Sequence, residues 1–271
     1  MSRSSGSGRK DRISVMTLNL RFGLANDGPD GWEFRKPRVA ALFAQHRPDI
    51  VAFQEANGFQ IDFLGSVLSD YGVIGRRDPA PPFWQNNVIF FKAPLACAFS
   101  DYFFLSHTPN TPSRFAESRW PRQCTIGLFQ IGGRRLAAVN THFDFEETVQ
   151  RRSAVLILER LKRLPERIPT IVMGDFNALP GSAGHRVFTG GRRRTKGGAQ
   201  QFTPVFSPPY PGTHHDFAGN SDGSHIDWIL FRGGLRVEST AVCRSPMAGG
   251  YPSDHFPVCA EFSWVPDTAG G

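Results

Sequence analysis

The chain has 271 residues and is 40% hydrophobic, enough to bury a substantial core, and it suits one large α/β domain better than two small ones. No run approaches the roughly 18 consecutive apolar residues of a membrane helix, and Cys97, Cys124, Cys243 and Cys259 have no zinc-ligand spacing, which argues against a spanning segment and a thiolate zinc site. A formal charge of +7 suits an anionic substrate, because a positive field concentrates phosphates, but it does not single out nucleic acid.

The opening MSRSSGSGRK is small, polar and basic and lacks the apolar core of a secretory signal, so residues 1–11 read as a disordered tail. Residues 12–264 read as one domain and residues 265–271 as a second tail. Widely spaced cysteines without a C-x-x-C pair read as reduced thiols, which points to a cytoplasmic protein. A monomer is expected.

Along the chain, Ile13 to Leu20 is rich in β-formers and predicts a first strand that runs into a loop at Arg21-Phe22-Gly23. Trp32 to His46 has helical spacing at Val39, Leu42 and Phe43 and stops before Pro48. Asp49 to Gln54 predicts a short buried strand with Glu55 at its carboxyl end, and Ile61, Leu64 and Leu68 predict another helix. Asn87 to Phe91 and Ala137 to Thr141 read as buried strands, so strands and helices alternate. Val149 to Leu164 predicts an amphipathic helix, with Val155, Leu158 and Leu161 inward and Arg151, Arg152, Arg160, Lys162 and Arg163 on a wet face. Thr170 to Gly174, Ile226 to Phe231 and Phe256 to Phe262 predict three further strands. The stretches 76–86, 107–122 and 207–224 are rich in Pro, Gly and polar residues and read as loops, as does the basic run from Gly190 to Gly198.

Eight polar residues recur beside these hydrophobic strands: Asn19, Glu55, His142, Asp175, Asn177, Asp227, Asp254 and His255. Neighbouring strand ends lie close together in a sheet, so such residues can meet in one pocket although they are scattered in sequence. Carboxylates gathered without a cation would repel and raise each other's pKa, so the set implies a shared partner. Glu55 and Asp254, with the Asn19 amide, supply hard oxygen ligands suited to magnesium or manganese. In Gly174-Asp175-Phe176-Asn177 the two polar side chains face the same way if the backbone is extended. Asp175 would then orient and deprotonate water while Asn177 donates to a phosphate oxygen; a turn-forming Asp-x-Asn is the alternative. Asp254 and His255 are adjacent and should point apart, so His255 needs another carboxylate to fix its tautomer, and Asp227 is the best available. His142 is a second imidazole able to donate a hydrogen bond or a proton.

Taken in order, TLNLRFG, QEA, NTHFD, GDFNALP, HIDWIL and YPSDHFPV resemble the endonuclease/exonuclease/phosphatase superfamily from about Ile13 to Phe262. The resemblance implies a four-layer α/β sandwich, two packed mixed β-sheets flanked by helices, with the site at one end. It also implies a phosphoric ester hydrolase using Mg2+ or Mn2+, with Asn19, Glu55 and Asp254 around the metal and Asp175 and Asn177 at the attacking water and phosphate. His255, paired with Asp227, would bind or polarise the phosphate, and His142 would assist from the other side. Asn140-Thr141-His142 stands where apurinic endonucleases carry a Tyr-x-Pro-Asn type motif, and is similar to the deadenylase, sphingomyelinase and deoxyribonuclease branches. The loop from Asn26 to Glu33 resembles that of a bacterial group in which a Glu often precedes the strand at Asn87; this chain has Gln85 there, which leaves the charge of His142 open. Arg122 matches a basic position of that group and would suit a phosphate. Trp32, Trp84 and Trp120 would either stack on a base or sugar or pack as core.

The expected substrate is a phosphomonoester or phosphodiester, a small molecule more than DNA or RNA, because the basic runs lie mostly outside the motif loops. A non-catalytic phosphate-ligand or nucleic-acid binding module is the alternative of another class, and no residue of the set is missing to favour it. The Asp-x-His and Gly-Asn-His-Glu clusters of other metallophosphatases are absent.

Overall fold

The computed structural model describes residues 11–165, 167–190 and 201–265. In chain order the elements are β1 (Arg12–Asn19), α1 (Trp32–Gln45), β2 (Ile50–Ala56), α2 (Gly58–Val67), β3 (Tyr71–Ile74), β4 (Asn86–Lys92), β5 (Ala96–Phe104) and β6 (Gln123–Ile131). There follow β7 (Arg134–His142), α3 (Glu147–Leu161), β8 (Thr170–Asp175), α4 (Ala183–Thr189), β9 (Thr203–Pro204), β10 (Asp227–Arg232), β11 (Leu235–Val242) and β12 (Val258–Trp264).

The strands form two six-stranded mixed sheets, one ordered β11-β12-β1-β2-β4-β3 and the other β5-β6-β7-β8-β10-β9. Each contains one parallel pair, β1 with β2 and β7 with β8, and the intervening helices α1 and α3 make the crossovers that parallel pairing requires. Period-two alternation sorts the strand residues. On β1, Ile13 and Val15 face the other sheet, where they meet Leu136, Ala138, Ile171 and Met173. Met16 and Leu18 point the opposite way onto Val39, Leu42, Phe43, Ile61 and Leu64 of α1 and α2. The outer face of the second sheet, with Ile126, Val139, Val172 and Leu230, packs on Ala154, Ile157 and Leu161 of α3 and Phe188 of α4. The result is the expected four-layer α/β sandwich. Strands buried on both faces explain the near-continuous apolar runs in the sequence.

An amide network joins the sheets toward one end. Gln54 Nε2 donates to Asn140 Oδ1 (2.7 Å), and Asn140 Nδ2 donates to the carbonyls of Phe53 (2.8 Å) and Val88 (2.7 Å).

Several expectations need correction. Val155 is 42% exposed, whereas Ser153, Ala154 and Ile157 form the inward face of α3. Arg160 does not lie on the wet face: it is buried, with Nη1 3.1 Å from Asp101 Oδ2 and Nη2 2.8 Å from Asn110 Oδ1. Small residues let α3 approach closely, which turns the helix away from its apparent apolar stripe. β3, β5, β6, β9, β11 and α4 were not expected from the sequence. The tails 1–10 and 266–271 and the basic positions 191–198 lie outside the described residues. Among the described residues, no helix is long and apolar enough to cross a membrane.

Candidate active site

The topology explains why chemistry-bearing residues cluster at strand ends. The carboxyl ends of β1, β2, β7 and β8 and the amino ends of their antiparallel neighbours β10 and β12 lie at one end of the sandwich. His142 pairs with Asp175 across β7 and β8, and Asp175 pairs with Asp227 across β8 and β10, so three polar residues stand side by side on one sheet. Asn19 and Glu55 end β1 and β2 on the other, and Asp254 and His255 precede β12.

Asp175 is the meeting point. Asn19 Nδ2 donates to Asp175 Oδ2 (2.9 Å), linking the two sheets, and the Asn177 N–H donates to Oδ1 (2.9 Å). That last bond, with Asn177 at φ 46°, makes the segment an Asx-type turn, so the extended backbone expected for Asp-x-Asn is not found. Phe176 between them is fully buried and stacks on Trp228 (centroids 4.1 Å apart), and its N–H donates to Ile226 O (2.9 Å), which fixes the turn. Gly174 is required below it: φ is 150°, and an added Cβ would collide with the Thr141 carbonyl oxygen.

Two imidazoles flank this carboxylate with opposite electrostatics. Arg122 Nη1 lies 3.0 Å from His142 Nδ1; a guanidinium cannot accept, so Nδ1 is the unprotonated nitrogen and the proton resides on Nε2, 3.3 Å from Asp175 Oδ2. Burial, then the charges of Arg122 and His255, push His142 well below the usual histidine range and keep it neutral. His255 Nδ1 donates to Asp227 Oδ2 (2.9 Å), the pairing expected from the sequence. Burial alone would lower His255, but the charge and hydrogen bond of Asp227, with Asp175 and Asp254, raise it to about 10. Asp175 itself is pushed up to about 7, first by burial and then by the Asp227 charge.

Glu55 occupies a bulge of β2 at φ 59°, an uncommon conformation for a side chain other than glycine and one that concentrates at functional sites. Its Oε2 accepts from the Phe22 N–H (2.7 Å) and its Oε1 from Asn19 Nδ2 (3.3 Å). Ser253 Oγ donates to Asn19 O (2.6 Å) and lies 3.0 Å from Asp254 Oδ1, tying Asp254 to the end of β1. Asp254 and His255 do not diverge as expected: together with His214 their ligating atoms all fall within 4.8 Å of one another. Asp175, Asp227 and His255 form a second such group. The donor set fits a divalent cation. Its carboxylates, Asp175, Asp227 and Asp254, supply hard oxygen donors beside the histidines, and the buried Asp227 Oδ1 has no hydrogen-bond partner among the described residues.

Four contributors escaped the sequence reading. Arg35 is fully buried and donates only to backbone carbonyls: Leu20 (2.7 Å), Pro252 (3.0 Å), Arg21 (3.3 Å) and Asp30 (2.8 Å). It thereby clamps the loop after Asn19 to the loop before Asp254, and burial lowers it to about 10. Arg21 is gripped by Asp27 through Nε (3.0 Å) and Nη2 (2.7 Å), and its Nη1 lies 3.5 Å from Asp254 Oδ2. The buried Asp144 carboxylate accepts from the N–H groups of Arg119 (2.9 Å) and Trp120 (3.2 Å), anchoring the loop that leads to Arg122. His214 stands edge-on to His255, with centroids 4.8 Å apart. The signals for these were the Arg in TLNLRFG, the Arg that follows Trp32-Glu33 by two positions, the Asp closing NTHFD, and the His-His pair before Asp216.

Arg122 is buried behind His142, and the neighbour of His142 Nδ1 is this arginine rather than Gln85. Of the three loop tryptophans, Trp32 and Trp84 are buried; Trp120 is 53% exposed.

A structure of an endonuclease/exonuclease/phosphatase family protein from Bacteroides thetaiotaomicron is 28% identical, with a TM-score of 0.82 over 93% of this chain and 98% of that one. A mannosyl-6-phosphatase from Bacteroides thetaiotaomicron is also 28% identical, with a TM-score of 0.81 over 93% of this chain and 100% of that one. Nocturnin from Rattus norvegicus is 25% identical over an aligned length of 287, covering 93% of this chain; the chain spans 66% of that protein's length. The model of the endonuclease/exonuclease/phosphatase family matches residues 16–255. With the motif residues joined at one end of a four-layer sandwich, the chain belongs to the endonuclease/exonuclease/phosphatase family.

Proposed function

We propose that this chain is a metal-dependent phosphoesterase that hydrolyses a small phosphomonoester by attack of water. The observation that carries the reading is Asp175: a buried carboxylate, held by Asn19 and Asn177, between a neutral and a charged imidazole.

Each residue then has a task set by its surroundings. Asp175, near neutrality in affinity for a proton, orients the attacking water and removes its proton. His255, kept as an imidazolium by Asp227, neutralises charge that builds on the phosphoryl oxygens. His142 donates from Nε2 toward phosphate, and Arg122 fixes its tautomer from behind, so Arg122 is a positioning residue in this reading. Asn177 stands beside His142, its Nδ2 donating to the Phe143 carbonyl (3.0 Å), and would offer its remaining amide N–H to a phosphate oxygen. Glu55, Asp254 and Asn19 would hold Mg2+ or Mn2+, which when bound neutralises phosphate charge and lowers the pKa of coordinated water.

Two observations favour a small monoester over a polynucleotide. Of the three loop tryptophans, the strongest stacking platforms for a base, two are core residues and Trp120 alone of the three is exposed. The likeness to a sugar phosphatase extends over the full length of that protein.

The test is Mg2+- or Mn2+-dependent turnover on sugar, inositol and nucleotide monoesters, a diester reporter, and single-stranded DNA and RNA. Monoester hydrolysis abolished by EDTA, and reduced on the order of 10^3-fold in Asp175→Asn with the fold retained, is expected. Preferential cleavage of polynucleotide would overturn the substrate class. Full turnover by Asp175→Asn would overturn the mechanism.

A further inference from the structure

Two thiols bracket the segment that carries Asp254 and His255. Cys243 directly follows β11 and Cys259 is the second residue of β12, so the connection 243–257 runs from one thiol almost to the other. β11 and β12 are antiparallel, with Ala241 opposite Cys259, and the Cys243 N–H donates to Pro257 O (2.9 Å). Positions 241, 243 and 259 therefore share one face of the pair. The two Sγ atoms are 3.4 Å apart, in van der Waals contact with no side chain between them. Neither cysteine is fully buried, and Cys259 lines an open groove of about 290 Å³ with Gln45, Arg47 and Ser239. Cys124, by contrast, is sealed in the core, and Cys97 sits on β5 in the other sheet.

We propose that Cys243 and Cys259 are an oxidative modification site, at which a hydroperoxide converts the dithiol to a disulfide that closes the loop presenting Asp254 and His255. The shared hydrogen bond favours one attacking sulfur: it lowers Cys243 below the usual thiol range and raises Cys259. The Cys243 thiolate attacks one peroxide oxygen, the O–O bond breaks, and hydroxide leaves to take up a proton as water. Cys259 then attacks the resulting sulfenic sulfur, the S–S bond forms and a second water departs. Two thiols and one hydrogen peroxide thus give one disulfide and two waters, with the peroxide as two-electron oxidant.

The pair differs from a structural bridge in being exposed enough to reach a small oxidant and reductant, so the change is reversible. It covalently ties the bases of the site loop without touching a residue assigned to the reaction.

The sequence offers a direct readout. Trypsin cleaves after Arg236 and Arg244, releasing Val237–Arg244 with Cys243 and a separate peptide beginning at Ser245 with Cys259. The full-length protein is treated with stoichiometric hydrogen peroxide, quenched and digested without reduction. The expected result is a species joining these two peptides that disappears with dithiothreitol, and a fall in titratable thiols from four to two. Closing the loop should raise Tm by on the order of 5 °C. Cys243→Ser should keep its three remaining thiols at the same dose, and Cys97→Ser should still form the bridge. Four surviving thiols, a bridge through Cys97 or Cys124, a link between two chains, or a sulfinic acid without a bridge would each overturn the proposal.

Discussion

Asp227 never reaches toward the pocket with both oxygens; one is spent on His255 Nδ1 and the other has no partner among the described residues. Its effect is felt through the imidazole. Replacing it in Asp227→Asn removes the main charge that raises His255, so burial would dominate and the ring would be neutral at pH 8 instead of charged. Titration of the His255 ring by 15N NMR should show this as a downward shift, with kcat falling on the order of 10^2-fold. An unmoved titration would mean that Asp227 only holds the ring in place. Arg35 makes a different prediction, because its partners are carbonyls rather than charges. Arg35→Met keeps the bulk but strands the Leu20 and Pro252 oxygens, costing about 3 kcal/mol in denaturant unfolding and weakening divalent-cation affinity by loosening two loops at once.

At this scale the motifs were legible because each sits beside a hydrophobic strand, and strand ends must converge. Asn19, Glu55, His142, Asp175, Asn177, Asp227 and His255 all meet or neighbour one another. Arg21, Arg35 and Asp144 were illegible for the opposite reason. Arg35 and Asp144 act through backbone groups, which leave no mark in the spacing of side chains, and Arg21 is held by Asp27 and Asp254, carboxylates brought to it only by the folded loops.

Among elements, α3 teaches the limit of reading helices by apolar spacing. Val155, Leu158 and Leu161 match a helical stripe, yet the buried face runs through Val149, Ser153, Ala154, Ile157 and Leu161. Close approach to the sheet favours small side chains, and the long Val155 is left in water. Ile157→Ala should therefore cost about 3 kcal/mol by leaving a cavity, whereas Val155→Ala should change stability by less than about 0.5 kcal/mol; comparable losses in urea titrations would contradict the helix orientation. Of the strands that were missed, β5 is an edge strand with mostly half-exposed residues, β11 is likewise an edge strand, and in β6 Gly127 interrupts the β-formers although the segment is buried. The strands that could be read, β1, β2, β4, β7, β8, β10 and β12, include both parallel pairs and lie inside the two sheets, away from their edges.

For the molecule as a whole, pH and metal act on the same few carboxylates. Asp175 has a folded pKa of about 7 against 3.8 ordinarily, so its protonated form favours folding: that contribution is complete below about pH 3.8 and is lost as pH rises through 7. The buried histidines shift stability in the other direction at low pH, so the comparison that isolates Asp175 is with Asp175→Asn. In EDTA the two proteins should have similar Tm at pH 5, and the variant should be the more stable at pH 8. Excess Mg2+ should reverse the order at pH 8, since a bound cation stabilises the ionised form. Differential scanning calorimetry at two pH values, with and without metal, decides it; a variant less stable than wild type in EDTA at pH 8 would remove the burial argument.

The bond from Asn19 to Asp175 crosses from one sheet to the other. The reacting groups are consequently shared property of two slabs whose alignment is maintained by the apolar layer between them, far from any substrate. Turnover becomes a gauge of that alignment: a conservative swap such as Ile171→Val or Met173→Leu that lets the slabs slide by a fraction of an ångström would register in kcat while the melting curve barely moves.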